Sequence, residues 1–133
     1  GIKACLPPPT KRGMVLIDPP YELKEDYQRV VDCIKDSLKR FATGTYLVWY
    51  PILQRPEPAL MIEKLQALNT DYVHVTLQVN QPGADGFGMF GSGMLILNPP
   101  WTLANQVKPC LSWLASTLAQ DASANAQMQV RMR

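Results

Sequence analysis

Residues 18 to 21 read Asp-Pro-Pro-Tyr, a carboxylate, two residues without a backbone donor and an aromatic ring, at the end of the apolar run in "GMVLIDPPYELKEDY". Proline fixes its own φ and biases the preceding residue away from the helical region, so the segment is stiff, extended and poor at continuing a sheet. Such a turn is either an ordinary strand exit or a holder for a flat, hydrogen-bonding ligand. In the second case the chemistry is narrow. The exocyclic amino group of adenine or cytosine is a poor nucleophile because its lone pair is drawn into the ring. The Asp18 carboxylate can accept one N–H and the backbone carbonyl of a proline the other. Together they orient the amino group and stabilise the positive charge that develops as a methyl group arrives. Tyr21 can stack on the base, a contact typically worth about 1 to 3 kcal/mol. The donor this implies is S-adenosylmethionine, whose sulfonium is a good electrophile, and no metal is called for. The target base must leave its stack to enter such a site.

The elements around the turn follow from periodicity. "GMVLID" is a short continuous apolar run, which suits a strand covered on both faces. From Leu23 to Arg40 the residues Tyr27, Val30, Val31, Ile34, Leu38 and Phe41 recur at helical spacing, with Lys39 and Arg40 in the last turn and Gly44 beyond. "TYLVWYPIL" is strand-like and is followed by the connector "QRPEP"; a second helix is expected from about Ala59 to Leu68. "DYVHVTLQV" and "GMLILNPP" supply two more strands around the glycine-rich loop "NQPGADGFGMFGSG". A last helix is expected over about Leu103 to Ala119, interrupted at Pro109, and "AQMQVRMR" can add a short edge strand. Alternating strands and helices imply a mostly parallel sheet with an antiparallel member near the end. Ligands then sit beyond the carboxyl ends of the strands. "VLIDPPY" and "LILNPPW" repeat one pattern, and both proline pairs are expected on that rim.

Composition closes off other chemistries. With 133 residues, 47% of them hydrophobic and 18% charged, and a net charge of +2, the chain has the makings of one ordinary core, and disorder or a strongly basic tail is excluded. Cys5, Cys33 and Cys110 are odd in number and lack CxxC spacing, so buried thiols in a reducing cytosol are expected rather than a disulfide or a metal site. The single histidine, His74, excludes a histidine-rich metal centre and reads as a strand residue facing outward or satisfied at a sheet edge. No apolar stretch reaches the roughly 18 residues a membrane span needs.

The blocks "RGMVLIDPPYELKEDYQRVV", "KRFATGTYLVWYPIL" and "GSGMLILNPPW" resemble the C-terminal half of the RlmJ family, bacterial methyltransferases that modify an adenine of large-subunit ribosomal RNA at its exocyclic nitrogen. The resemblance runs from the "LPPP" connector to the last helix. It implies a Rossmann-like class I methyltransferase sheet, mostly parallel with an antiparallel last strand, in which residues 1–133 are the C-terminal half of a single domain. It also implies S-adenosylmethionine as donor, ribosomal RNA as partner, a cytoplasmic location and a monomer when intact. By this resemblance Asp18 and Pro19 are catalytic, Asp18 also faces the cofactor, and Pro20 and Tyr21 bind the base. Trp101 of "NPPW" either touches RNA or packs under the active-site rim, packing being the expectation.

The glycine loop and ribose-binding acid that open the family's sheet have no counterpart in this chain, and the glycine-rich segment at 83 to 93 does not open a helix. The chain is therefore expected to be an incomplete and inactive fragment by itself. Alternatives are a DNA adenine methyltransferase, an external-DNA utilisation protein (an older label of some members) and a non-catalytic RNA-binding module. Lys11, Arg12, Lys39, Arg40 and Arg55 are candidate phosphate contacts, or equally solvated surface charges.

Overall fold

The computed structural model describes residues 1–133. A single 3-10 turn (Ile2–Ala4) and the proline-rich connector lead into β1 (Met14–Ile17), α1 (Lys24–Arg40), β2 (Thr45–Ile52), α2 (Pro56–Gln66), β3 (Tyr72–Gln78) and β4 (Gly91–Leu97). The chain continues through α3 (Leu103–Val107), a 3-10 turn (Lys108–Cys110), α4 (Leu111–Leu118) and β5 (Asn125–Arg131). The break at Pro109 is where the sequence placed it. α2 starts three residues earlier than its apolar period, because a proline in the first helical turn loses no hydrogen bond and its φ already suits the helix.

α1 shows how local sequence sets an element. The Leu23 N–H donates to the Asp26 carboxylate at 3.1 Å, Glu25 and Asp26 lie in the positive first turn, and Lys39 and Arg40 in the negative last turn. Tyr27, Val30, Val31 and Ile34 form the buried stripe. The Phe41 N–H closes the helix on the Ser37 carbonyl at 2.7 Å.

The sheet order is β1-β2-β4-β3-β5. β1 and β2 are parallel, whereas β4 runs antiparallel to both β2 and β3, and β5 antiparallel to β3. β4, joined to β3 by the glycine-rich loop, is the expected antiparallel member, and the C-terminal tail adds the expected edge strand, seven residues long and also antiparallel. Only the β1–β2 pair is parallel, so the sheet is mixed rather than mostly parallel, because each strand's direction is set by its pairing partners. α1 and α2 cover one face, where Ile17, Tyr46, Val48, Tyr50, Tyr72, Leu95 and Leu97 meet the helix residues Val31, Ile34, Met61 and Leu65. α4 packs on the other face, over β3 and β5. β1 is not covered on both faces in this chain: Met14 and Leu16 stand 70% and 63% exposed on the side away from α1. An apolar run signals that burial is favourable, but whether a neighbour exists to provide it is set elsewhere.

Candidate active site

β1 delivers Asp18 to the carboxyl edge of the parallel strands. Asp18 and Pro20 are exposed there, Pro19 is half-buried, and Tyr21 turns inward with a left-handed φ of 52°. A non-glycine residue pays steric strain in that region, so it must be held by its surroundings. The Tyr21 hydroxyl donates to the backbone carbonyl of Trp49 in β2 at 2.6 Å, and its ring lies 4.8 Å from that of Tyr27 in α1, tilted by 36°. Burial first, then the neighbouring Tyr27 and the Asp18 and Asp26 carboxylates, push the Tyr21 phenol well above the ordinary tyrosine range, so it stays a neutral donor. The turn is therefore stapled to both the next strand and the next helix, with the carboxylate left outside.

The structure gives Tyr21 a position different from a free stacking platform. Only 6% of the residue is exposed, so its first role in this geometry is to fix the turn. An open cleft of about 320 Å³ adjoins Asp18 and Pro19 and is walled by Leu16, Asp26, Arg29 and Val30. The Trp49 carbonyl that anchors the turn is a backbone group, and nothing in the sequence could have singled it out.

The two proline pairs do not share a rim. Because β4 runs antiparallel, its exit residue Leu97 pairs with Tyr46 and Tyr72 near the starts of β2 and β3, so Asn98 to Trp101 lie at the edge opposite Asp18. Nor does Trp101 pack under anything: it is 81% exposed. Asn98, at φ 52°, donates from its side chain to the Ala42 and Gly44 carbonyls at 2.8 and 3.0 Å, which explains this second turn as a fastening of the α1–β2 loop. The cation set is split in the same way. Lys11 and Arg12 precede β1, and Lys39 and Arg40 end α1, on the far edge; Arg55 alone stands after β2 on the edge of Asp18, where it pairs with Glu57 at 3.4 Å.

The glycine-rich loop between β3 and β4 also reaches the Asp18 edge. The Phe90 N–H donates to the Ile52 carbonyl at 3.1 Å and the Gln54 side chain to the Gly83 carbonyl at 2.6 Å, which pin the loop beside the end of β2. Its tip holds Phe87, 79% exposed, between Gly86 and Gly88, both at positive φ. The loop joins antiparallel strands and opens no helix, and the β1–α1 and β2–α2 connections contain no glycine. The residues present do not build a phosphate- or ribose-binding loop.

His74 is half-buried inside the sheet, not at its edge, and its Nε2 lies 2.6 Å from the Tyr50 hydroxyl. Burial lowers the imidazole and pushes the Tyr50 phenol up to about 12, so both are neutral near pH 7. Tyr50, not Trp49, faces the core. Cys33 is half-buried and Cys5 and Cys110 are exposed, against the expectation of buried thiols: Cys5 lies outside any long helix, and the α3–α4 segment turns Cys110 to solvent. No group of three or more His, Cys, Asp or Glu side chains is placed to hold a metal ion. No helix is long and apolar enough to cross a membrane.

The family model described as "Ribosomal RNA large subunit methyltransferase D, RlmJ" matches residues 1–131. The chain belongs to the RlmJ family. Two relatives, both called ribosomal RNA large subunit methyltransferase J, come from Haemophilus influenzae and Escherichia coli K12. The first is 46% identical over 120 residues, 90% of this chain and 43% of its own length, and the second 44% over 128 residues, 94% and 45%. The crystal structure of a Legionella pneumophila protein superposes with a TM-score of 0.88 at 33% identity, over 99% of this chain and 48% of that one. This RlmJ-family chain thus spans less than half the length of the relatives it matches. Its Asp-Pro-Pro-Tyr turn lies within the matched region.

Proposed function

We propose that this chain supplies the acceptor half of an RlmJ-type methyltransferase, which transfers a methyl group from S-adenosylmethionine to the exocyclic nitrogen of an adenine in large-subunit ribosomal RNA. On this reading residues 1–133 are the C-terminal half of one Rossmann-like class I domain, acting as a cytoplasmic monomer when whole. The observation that carries it is the turn itself: an exposed Asp18 carboxylate and the adjacent Pro19 carbonyl at the end of β1, in a backbone locked by the Tyr21 hydroxyl on Trp49, in a chain of this family.

The donor supplies an electrophilic methyl group, and the residues that hold it are assigned to the part of the family's length outside this chain, with Asp18 at the boundary. The chain's own residues do the rest. Asp18 accepts one amino N–H and Pro19 O the other, which aims the nitrogen lone pair along the line of transfer and stabilises the ammonium character that builds up on it. The methylated nitrogen then loses its proton to water or to Asp18. Pro20 walls the base, and Tyr21 holds the turn and offers its remaining ring edge to the purine.

The test is methyl transfer by the intact protein from labelled S-adenosylmethionine to ribosomal RNA and, in parallel, to duplex DNA. The reading expects RNA labelling that falls at least a hundredfold in Asp18→Ala, since removing one such transition-state contact typically costs about 10²- to 10³-fold. Labelling of DNA alone would move the activity to the DNA alternative. Undiminished RNA labelling by Asp18→Ala would remove Asp18 from the chemistry.

A further inference from the structure

The edge opposite Asp18 carries a different chemistry. Lys11 and Arg12 lead into β1, and Lys39 ends α1; none of the three has a carboxylate within ion-pair distance, whereas Arg40 is paired with Asp36 at 3.2 Å. These residues share one ordered stretch of surface. The Lys11 N–H donates to Pro8 O at 2.9 Å, and the Thr45 N–H ties the Gly13 carbonyl to the start of β2 at 3.2 Å. The Asn98 side chain ties the Trp101 turn to the α1–β2 loop just beyond Lys39. Within that turn the Leu103 N–H donates to Pro100 O at 3.0 Å, so Trp101 projects from a fixed backbone rather than a loose end.

An indole left 81% exposed on a rigid turn, on the same edge as three unpaired cations, is poorly explained as packing. Lys39 has a partial local explanation in the dipole of α1; Lys11 and Arg12 end no helix and have none. By contrast the Asp18 edge is rich in carboxylates, with Asp18, Glu22, Glu25 and Asp26 all near the β1–α1 connection. The cations of that edge, Lys24, Arg29 and Arg55, are engaged by Glu57 and Asp26, whereas Lys11, Arg12 and Lys39 of the far edge are free to take phosphates. Arg12 and Asp18 are six residues apart along an extended segment, roughly 20 Å at a strand's rise per residue.

We propose that this far edge is a second RNA-contact surface, on which Lys11, Arg12 and Lys39 neutralise phosphates and Trp101 stacks on an unpaired base. The proposal rests on the RNA reading of the catalytic turn and deepens it: the substrate is an RNA long enough to reach from one edge of the sheet to the other. A free nucleoside or an oligonucleotide too short to span the two edges would bind the turn without this anchor. Binding and chemistry are thereby divided between edges, and the acidic surround of Asp18 need not hold the backbone.

The experiment is fluorescence anisotropy of the full chain with a labelled 20-nucleotide single-stranded RNA, at several salt concentrations. Each cation that contacts a phosphate on a single strand contributes about 0.7 to the slope of log affinity against log salt. The triple variant Lys11→Ala, Arg12→Ala, Lys39→Ala is expected to flatten that slope by about 2. Trp101→Ala is expected to weaken binding roughly fivefold or more with the slope unchanged, and Trp101→Phe to retain most of the affinity. Lys64→Ala, on the surface of α2, is the control and leaves binding as it was; all these side chains are exposed, and melting curves verify that the variants fold. If the unmodified chain binds RNA and either the triple variant or Trp101→Ala binds it equally well, the proposal is overturned, the edge is left to a protein partner, and the RNA reading of the turn stands. If the unmodified chain binds no RNA, the far-edge proposal falls, while the reading of the turn is judged separately by methyl transfer in the intact protein.

Discussion

The Tyr21 hydroxyl reaches the Trp49 carbonyl at 2.6 Å across the junction of β1 and β2, and this one bond fixes the backbone that presents Asp18. It is a donor held neutral by burial, so it does not titrate in any range where the protein is expected to work. Tyr21→Phe keeps the ring against Tyr27 and removes only the tie. The expected outcome is a loss of about 1 kcal/mol of stability in denaturant unfolding. In the intact protein kcat falls about tenfold, the equivalent of about 1.4 kcal/mol of barrier, while KM for RNA is little changed. An unaltered kcat would mean that the turn is rigid without the tie.

Gly93 faces Tyr50 across the β2–β4 pair, and a Cβ there would collide with the far end of the Tyr50 ring. That ring is buried and its hydroxyl is engaged by His74, so it has no free rotamer to retreat to. Gly93→Ala is expected to destabilise the fold by about 1 to 3 kcal/mol, as overpacked sites do. The same substitution should separate Tyr50 from His74, which the tyrosine near-ultraviolet circular dichroism reports.

His74 makes stability depend on pH. Its imidazole is held below the ordinary 6.5 by burial, so the unfolded chain binds a proton that the folded chain refuses. Stability is fully present above about pH 6.5 and declines as pH falls below it, toward the lowered folded value. Thermal melts between pH 7.5 and pH 5 should show a falling Tm, and His74→Gln should flatten that part of the profile. A decline of equal steepness in the variant would assign it to carboxylates instead.

Calorimetric titration of S-adenosylmethionine into the 133-residue chain is expected to give no measurable heat. The two strand-to-helix connections of this chain contain no glycine loop, and the one glycine-rich loop joins antiparallel strands. Stoichiometric binding would place the donor site on residues 1–133, in one copy or rebuilt by self-association, and would overturn the reading of the chain as a half without a donor site.

Much of this was legible in the order of residues. The helical stripe Tyr27, Val30, Val31, Ile34, the strands around Val48 and Leu95, the helix break at Pro109 and the Asp-Pro-Pro-Tyr turn all rest on local rules, in which φ restriction and periodic burial act over a few neighbours. So does the family, since three short blocks carry it. What the sequence alone could not decide is where those pieces meet. "VLIDPPY" and "LILNPPW" look alike, yet one strand runs parallel and the other antiparallel, and strand direction depends on pairing partners distant in the chain. That single difference sends Trp101 and Asp18 to opposite edges and turns an expected packing residue into an exposed one. The inward rotation of Tyr21 is likewise tertiary: its left-handed φ is maintained by a carbonyl 28 residues away, a contact that no local pattern encodes.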